Sequence, residues 1–499
     1  MSMELEQLRA LIAQKADAHG ALADAVWEAA ELNWREEQSA HVVARHLQSE
    51  GFAVQESACG MATAFVAQWS SAAPGQQAPV VAFLGEYDAL PGLSQQGGLA
   101  EPRPLGEGAP GHGCGHNLLG AGSAAAAVAV RDWCAASGVA ATVRYYGCPA
   151  EEDGGGKVFF ARAGAFRDVD AVFAWHPGDA NYVLGQSCLA VTGVLYRFAG
   201  RTAHAAAAPF AGRSALDACE LMNVGCNYLR EHILPTARLH YAYRDTGSTA
   251  PNVVPAHASL HYYIRAPKVS QMLDIKARVA DVARGAALMT GTQLSIQEID
   301  GFSDFVPSRT LGELTARCLA EAGAPAWDGQ DLALAARFAA TIGEEERAQN
   351  FAHALEVTHQ PAALYRGKLL DDTTPPYVHE PAVAEPGSTD VGDVSYCAPT
   401  VQLYTACQAV GTGGHTWQVT AQSRSPLGRK GMLKAAEVLA LAAVRAVQDP
   451  ALLAAAKAEH AQSCPDGYRC PLPEDAPAEP APARGPPHPA ARRSDKRPF

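Results

Sequence analysis

Three short apolar runs, set among helical patterning, constrain this 499-residue chain more than any other feature. They are Pro79–Gly85 (PVVAFLG), Ala141–Gly147 (ATVRYYG) and Asp170–Trp175 (DAVFAW). Runs of this length and composition read as buried strands. Between the first two, residues 117–138 are alanine-rich and read as a helix. Residues 3–50 also read as helical, with Leu8, Leu11, Ile12 and then Leu22, Ala25, Val26 and Ala29 at three- and four-residue steps. Strands alternating with helices predict an α/β fold, a central sheet with helices on both faces.

The pattern changes near residue 190. Ala190–Ala199 alternates as a half-exposed strand does, and a helix is expected at about 213–233. Strand-like runs near 239–245 and 258–265, a helix at about 270–288 and a strand near 292–299 complete the set. Four strands and two helices in this order predict a smaller inserted α+β unit. From 303 the chain reads as helical again, residues 361–400 as loop-rich, and 429–460 as a long helical region. The expected division is therefore residues 1–189 and 303–473 in one domain, with 190–302 inserted. Cys464–Phe499 holds ten of the 33 prolines. That density without periodicity predicts a disordered tail over 474–499.

Composition narrows the class without naming a chemistry. Apolar residues make up 48% and charged residues 18%, as in a globular chain. A net charge of −13 argues against non-specific nucleic-acid binding, which needs a basic face. The longest apolar stretch, Leu118–Val130, is too short to span a bilayer. The N-terminus shows no signal-peptide pattern, and twelve cysteines without one read as reduced thiols of a cytoplasmic protein.

The chemistry-bearing segments cluster at strand ends. Gly111–Asn117 (GHGCGHN) packs two histidines and a cysteine into five residues, and on an extended chain Cys114 and His116 would share a side. Both are good ligands for zinc or a similar ion. No lysine-serine/threonine pair follows, so a phosphate loop is not supported, and Gly154–Lys157 (GGGK) fails the same test. Pro149–Asp153 (PAEED) follows the second strand, where open α/β sheets place their ligands. One carboxylate of such a pair can bind metal while its neighbour acts as a general base; a helix N-terminus is the bland alternative. His176 follows the third strand, and His415 lies in a glycine-rich loop; each is weak alone. Together Cys114, His116, Glu152, His176 and His415 offer enough donors for two divalent ions. Asp88, in the strand-ending EYDALP, could orient a metal-binding histidine; a plain strand-terminating turn with proline is the equal alternative. In the inserted unit, His204, Asn252 and Arg265 read unaided as surface residues.

In this order, CGHN, PAEE, WHPG, GRTAHAA, PNVVP and GHT resemble the di-metal amidohydrolase and carboxypeptidase family, which includes glutamate carboxypeptidases, aminoacylases and auxin-conjugate hydrolases. The resemblance runs from about residue 5 to residue 473. It implies a metal-binding catalytic domain with a central mixed sheet, interrupted by a smaller α+β lid that also dimerises. Carried over residue by residue, it implies Cys114, His116, Glu152, His176 and His415 as ligands to two divalent ions, zinc or manganese. Glu151 matches the general base. His204 matches a lid histidine that reaches the partner subunit's site. Asn252 and Arg265 match positions holding the substrate carboxylate. Asn117 departs from the aspartate of the auxin-conjugate branch, and His112 has no ligand role. The implied activity is hydrolysis of the amide bond of N-acyl or N-aroyl amino acids, p-aminobenzoyl-glutamate first. A dipeptidase or aminoacylase of the same family is the alternative enzyme. A non-catalytic subunit supporting a related partner is the alternative class, and the complete ligand set with Glu151 weighs against it. Neither nucleic acid nor membrane is expected as a partner; a homodimer or higher homo-oligomer is, or a related second subunit.

Overall fold

The computed structural model describes residues 2–73, 75–365 and 367–478. Three helices open the chain, α1 (Met3–Gln14), α2 (Ala16–Ala29) and α3 (Glu37–Ser49). The helical region expected over 3–50 is therefore interrupted. Ala30 (φ 42) and Trp34 (φ 62) are left-handed, so α2 stops and an irregular strap covers residues 30–36. There follow β1 (Ala53–Glu56), β2 (Phe65–Ser70), β3 (Val80–Glu86), α4 (His116–Ser137), β4 (Thr142–Cys148), α5 (Gly156–Arg162), β5 (Ala171–Gly178), β6 (Tyr182–Val183) and β7 (Gln186–Cys188). The inserted stretch comprises β8 (Ala190–Ala199), α6 (Ala215–Leu229), β9 (Arg238–Asp245), β10 (His257–Ala266), α7 (Val269–Thr290) and β11 (Gln293–Phe302). The rest is α8 (Arg309–Ala322), α9 (Gly329–Ala339), α10 (Glu344–Thr358), β12 (Glu380–Glu385), α11 (Val391–Ser395), β13 (Thr400–Ala406), α12 (Trp417–Ser423), α13 (Pro426–Gln448) and α14 (Pro450–Ser463).

Seven strands form a mixed sheet in the order β1-β2-β4-β3-β5-β13-β6. β4, β3, β5 and β13 run parallel, while β2 and β6 run antiparallel to their neighbours. The four parallel strands end at one edge, where such sheets place their ligands. α4 and α13 cover one face with small and branched residues such as Ala124, Ala125, Val438 and Leu439. The fit is close: a Cβ on Gly120 would stand 2.6 Å from the Glu86 carbonyl oxygen, and one on Gly122 2.6 Å from the Trp175 ring. Phe159, Phe160 and Phe166 fill the other face. β13 is hidden from pattern reading because Thr400, Gln402 and Thr405 interrupt its apolar residues, yet all three are buried. The hydroxyls of Thr400 and Thr405 donate to the Ala398 and Gly431 carbonyls.

The inserted unit is an antiparallel sheet, β11-β8-β10-β9, with α6 and α7 packed on one face through Met222, Cys226, Met272 and Ile275. The molecule is thus an α/β domain with a mixed sheet, interrupted by a smaller α+β unit. Beyond α14, Arg162 donates to the carbonyls of Pro473 and Ala476 at 3.2 and 3.0 Å. The first residues of the expected tail thus lie against the body; 479–499 fall outside the described residues. No single helix among the described residues is long and apolar enough to cross a membrane; only the bent pair α13–α14 passes by length and composition, and α13 is core.

Candidate active site

Backbone turns bring the acidic, cysteine and histidine side chains to the open end of the parallel strands. Cys114 and His116 are not on an extended segment as expected. Gly115 (φ 78) turns the chain, and His116 is the first residue of α4. A left-handed Ala150 (φ 56) turns the Glu151–Glu152 pair after β4. Its N–H donates to Glu36 Oε1 at 2.8 Å, and Thr63 Oγ1 donates to Glu36 Oε2 at 3.0 Å. Burial, and then the Asp88 charge, push the Glu36 carboxyl up to about 8. His415 is also left-handed (φ 57), and its N–H donates to the Gly113 carbonyl at 2.9 Å, tying its loop to that of Cys114.

Three groups of potential metal donors result, with ligand atoms in each lying within 4.8 Å of one another: Cys114, His116 and His176; Cys114, Glu152 and His415; Glu86, His116 and Glu151. Cys114 Sγ stands 3.3 Å from His176 Nε2, and His415 Nε2 stands 3.3 Å from Glu152 Oε2. Two buried atoms, His116 Nε2 and Glu152 Oε1, have no hydrogen-bond partner. A divalent cation between them would satisfy both, and the soft-to-hard donor set fits such an ion. Asp88 lies behind. Its Oδ1 meets His116 Nδ1 at 2.8 Å, and its Oδ2 accepts from the Glu152 N–H at 2.9 Å. That bond leaves His116 Nε2 aimed at the donor groups. Burial raises the Glu151 carboxyl well above its usual range, and Glu86 and Glu152 push it further. Burial, and then Glu152, hold the Cys114 thiol well up, so its thiolate needs a cation beside it. His112 faces away, with Nε2 3.0 Å from the Val26 carbonyl.

Sequence reasoning overlooked a buried charge chain. Lys157 Nζ lies 2.6 Å from both Glu86 Oε1 and Asp390 Oδ1, and Glu86 Oε2 lies 3.2 Å from His116 Nε2. All of these side chains are at most 4% exposed. The available signal was a lysine directly before the apolar Val158–Ala161, where burial demands a carboxylate partner.

A cleft of about 510 Å³ lies over these groups. Cys114, Glu151, Glu152, His176 and His415 line it from the main domain, and Tyr263, Arg265, Asp300 and Phe302 from the inserted unit. Arg265 Nη1 donates to Ser388 Oγ at 2.8 Å. His204 and Asn252 do not line this cleft. They lie side by side on exposed loops, the Ala205 N–H donating to the Asn252 carbonyl and His204 bridging Val253.

Fold and site together define a metal-dependent amide hydrolase. The profile of peptidase family M20/M25/M40 matches residues 82–462, and the chain belongs to that family. It is 42% identical over 460 residues to a p-aminobenzoyl-glutamate hydrolase subunit of Escherichia coli (strain K12), covering 91% of this chain and 94% of the relative. It is 31% identical to the Xaa-Arg dipeptidase of Mus musculus, covering 95% and 94%. Among solved structures, an aminobenzoyl-glutamate utilization protein from Klebsiella pneumoniae shares the fold with a TM-score of 0.58 at 18% identity, over 88% of this chain and 98% of that one. A dinuclear metal-binding peptidase of Bacillus subtilis does so at 0.54 and 16%, over 86% and 98%.

Proposed function

We propose that this chain hydrolyses the amide bond of N-acyl or N-aroyl amino acids, p-aminobenzoyl-glutamate first among them. The observation that carries the reading is the half-buried Glu151–Glu152 pair at two donor groups that share Cys114. The named activity of the Escherichia coli relative supports the substrate class. Cys114, His116, Glu152, His176 and His415 would hold two divalent ions, zinc or manganese. When bound, such ions polarise a carbonyl and lower the pKa of water towards about 7. Glu151 takes the proton of the attacking water and returns it to the leaving amine, help typically worth about 10²–10⁴-fold. Arg265, which lines the cleft, holds the substrate carboxylate, and Asn252, which lies beside His204, joins it from a partner subunit. His204 donates to the oxyanion from a partner subunit, in a homodimer or with a related second subunit, the inserted unit serving as lid and dimerisation domain. All twelve cysteines are free, which suits the reducing cytoplasm.

Removing divalent ions with a chelator should abolish hydrolysis by the purified chain, and zinc, manganese or cobalt should restore it. Full turnover in a preparation shown to be metal-free overturns the reading. A chain that binds metal but releases no amine from any conjugate points instead to a supporting subunit. The likeness to the Xaa-Arg dipeptidase gives the second enzyme reading, tested by including dipeptides in the same screen.

A further inference from the structure

We propose that Gln402, with the stacked rings of Tyr182 and Tyr404, forms the subsite for the acyl end of the substrate, and that this subsite selects an aromatic ring bearing a hydrogen-bond donor at its far end, an arylamine or a phenol. The inference rests on the amide-hydrolase reading above.

The Tyr182 and Tyr404 rings are stacked, with centroids 4.5 Å apart and planes at 5°. Tyr404 in turn lies 5.5 Å from the ring of His176, one of the metal-binding candidates. An aromatic wall therefore starts at the donor groups and leads away from them. The register pairs Tyr404 with His176 and Gln402 with Ala174. Residues two apart on a strand share a face, so Gln402 follows Tyr404 one step deeper, roughly 6–7 Å along the strand. Gln402 is only 3% exposed and lines the cleft. Its Nε2 donates to the Tyr404 hydroxyl at 3.0 Å. Its Oε1 is buried and has no hydrogen-bond partner. Buried acceptors are rarely left unpaired, so each one asks for an explanation. An N–H or O–H at the end of a ring lying on this wall supplies the missing bond. Leu184, Cys188 and Val191 also line the cleft and belong to the apolar cluster against which Tyr182 and Tyr404 pack, a lining that suits the body of a ring. An aliphatic acyl chain satisfies the lining but not Gln402. A carboxylate there would meet an acceptor, with Glu385 also lining the cleft.

The test compares benzoyl-glutamates carrying para-amino, para-hydroxy and para-methyl groups, hydrolysed by the zinc- or manganese-loaded protein. The quantity read is the kcat/KM ratio of the amino over the methyl conjugate. In Gln402→Met this ratio should fall roughly three- to tenfold relative to the unaltered protein, as for loss of one neutral hydrogen bond. Gln402→Glu, which keeps an acceptor, should retain it. The substituent's intrinsic electronic effect on the amide is common to all three proteins and cancels. Binding of 4-aminobenzoate against 4-methylbenzoate, measured by calorimetry, should show the same dependence on residue 402 without turnover. An unchanged ratio in folded Gln402→Met overturns the proposal, as does hydrolysis of alkanoyl but not benzoyl amino acids; in both cases the amide-hydrolase reading stands. If no conjugate is hydrolysed, that reading fails instead, and the two benzoates alone decide the subsite.

Discussion

Glu151 and Glu152 are neighbours with different surroundings, and the difference predicts different phenotypes. Glu152 lies beside Cys114 and His415, whereas Glu151 groups with Glu86 and His116. Glu151→Gln should remove turnover while metal content, measured by elemental analysis, stays near normal. Glu152→Gln should lower metal content; equal metal loss in both variants would show the division of roles to be wrong. Lys157 makes a second residue-level case. Removing one partner of a buried pair leaves an uncompensated charge, which typically costs about 3–5 kcal/mol. Lys157→Met should therefore destabilise the protein by about that much in denaturant unfolding, and adding Asp390→Asn should recover part of it. A loss under about 1 kcal/mol would mean that Glu86 and Asp390 do not depend on the lysine charge. The site was legible where its residues crowd together in sequence, as in GHGCGHN and PAEED. It was illegible where long-range folding does the crowding. Glu86, Lys157 and Asp390 come from three separate segments, and each alone reads as an ordinary strand, helix or loop residue.

At the level of elements, the central strands and the α+β insertion were readable because apolar period and turn residues agree there. β13 was not, since its buried threonines and glutamine imitate a loop, and its pairing with β5 is a tertiary fact. The α2–α3 contact carries a pH dependence. His19 and His46 face each other with ring centroids 5.2 Å apart, and both are lowered, His19 to about 4, first by burial. Their neutral forms are favoured on folding. The stability this represents is present above pH 6.5, the ordinary histidine value, and is lost as pH falls towards about 4. The melting temperature should drop across that window. His19→Phe, if it folds, should flatten the drop; an unaltered slope would place the acid sensitivity elsewhere.

For the whole molecule, the exposed position of His204 away from its own cleft bears on assembly. If two copies exchange their inserted units' loops, each site needs the other chain, and an isologous pair supplies both at once. Mixing His204→Ala with Glu151→Gln, each inactive alone, should then restore activity, up to about half of normal per mixed dimer since one site of the pair is intact. Verified mixed dimers without recovered turnover would exclude donation in trans. The sheet order has a consequence of its own. β5 and β6 are nearly adjacent in sequence, yet β13 lies between them, and it begins only at Thr400. During synthesis the hydrogen-bonding edge of β5 stays open while the inserted unit and α8–α10 are made. Open edges invite pairing with other chains, and closing so distant a contact is slow. The yield of soluble protein is therefore a race between completing the last fifth of the polypeptide and edge-to-edge association of unfinished sheets.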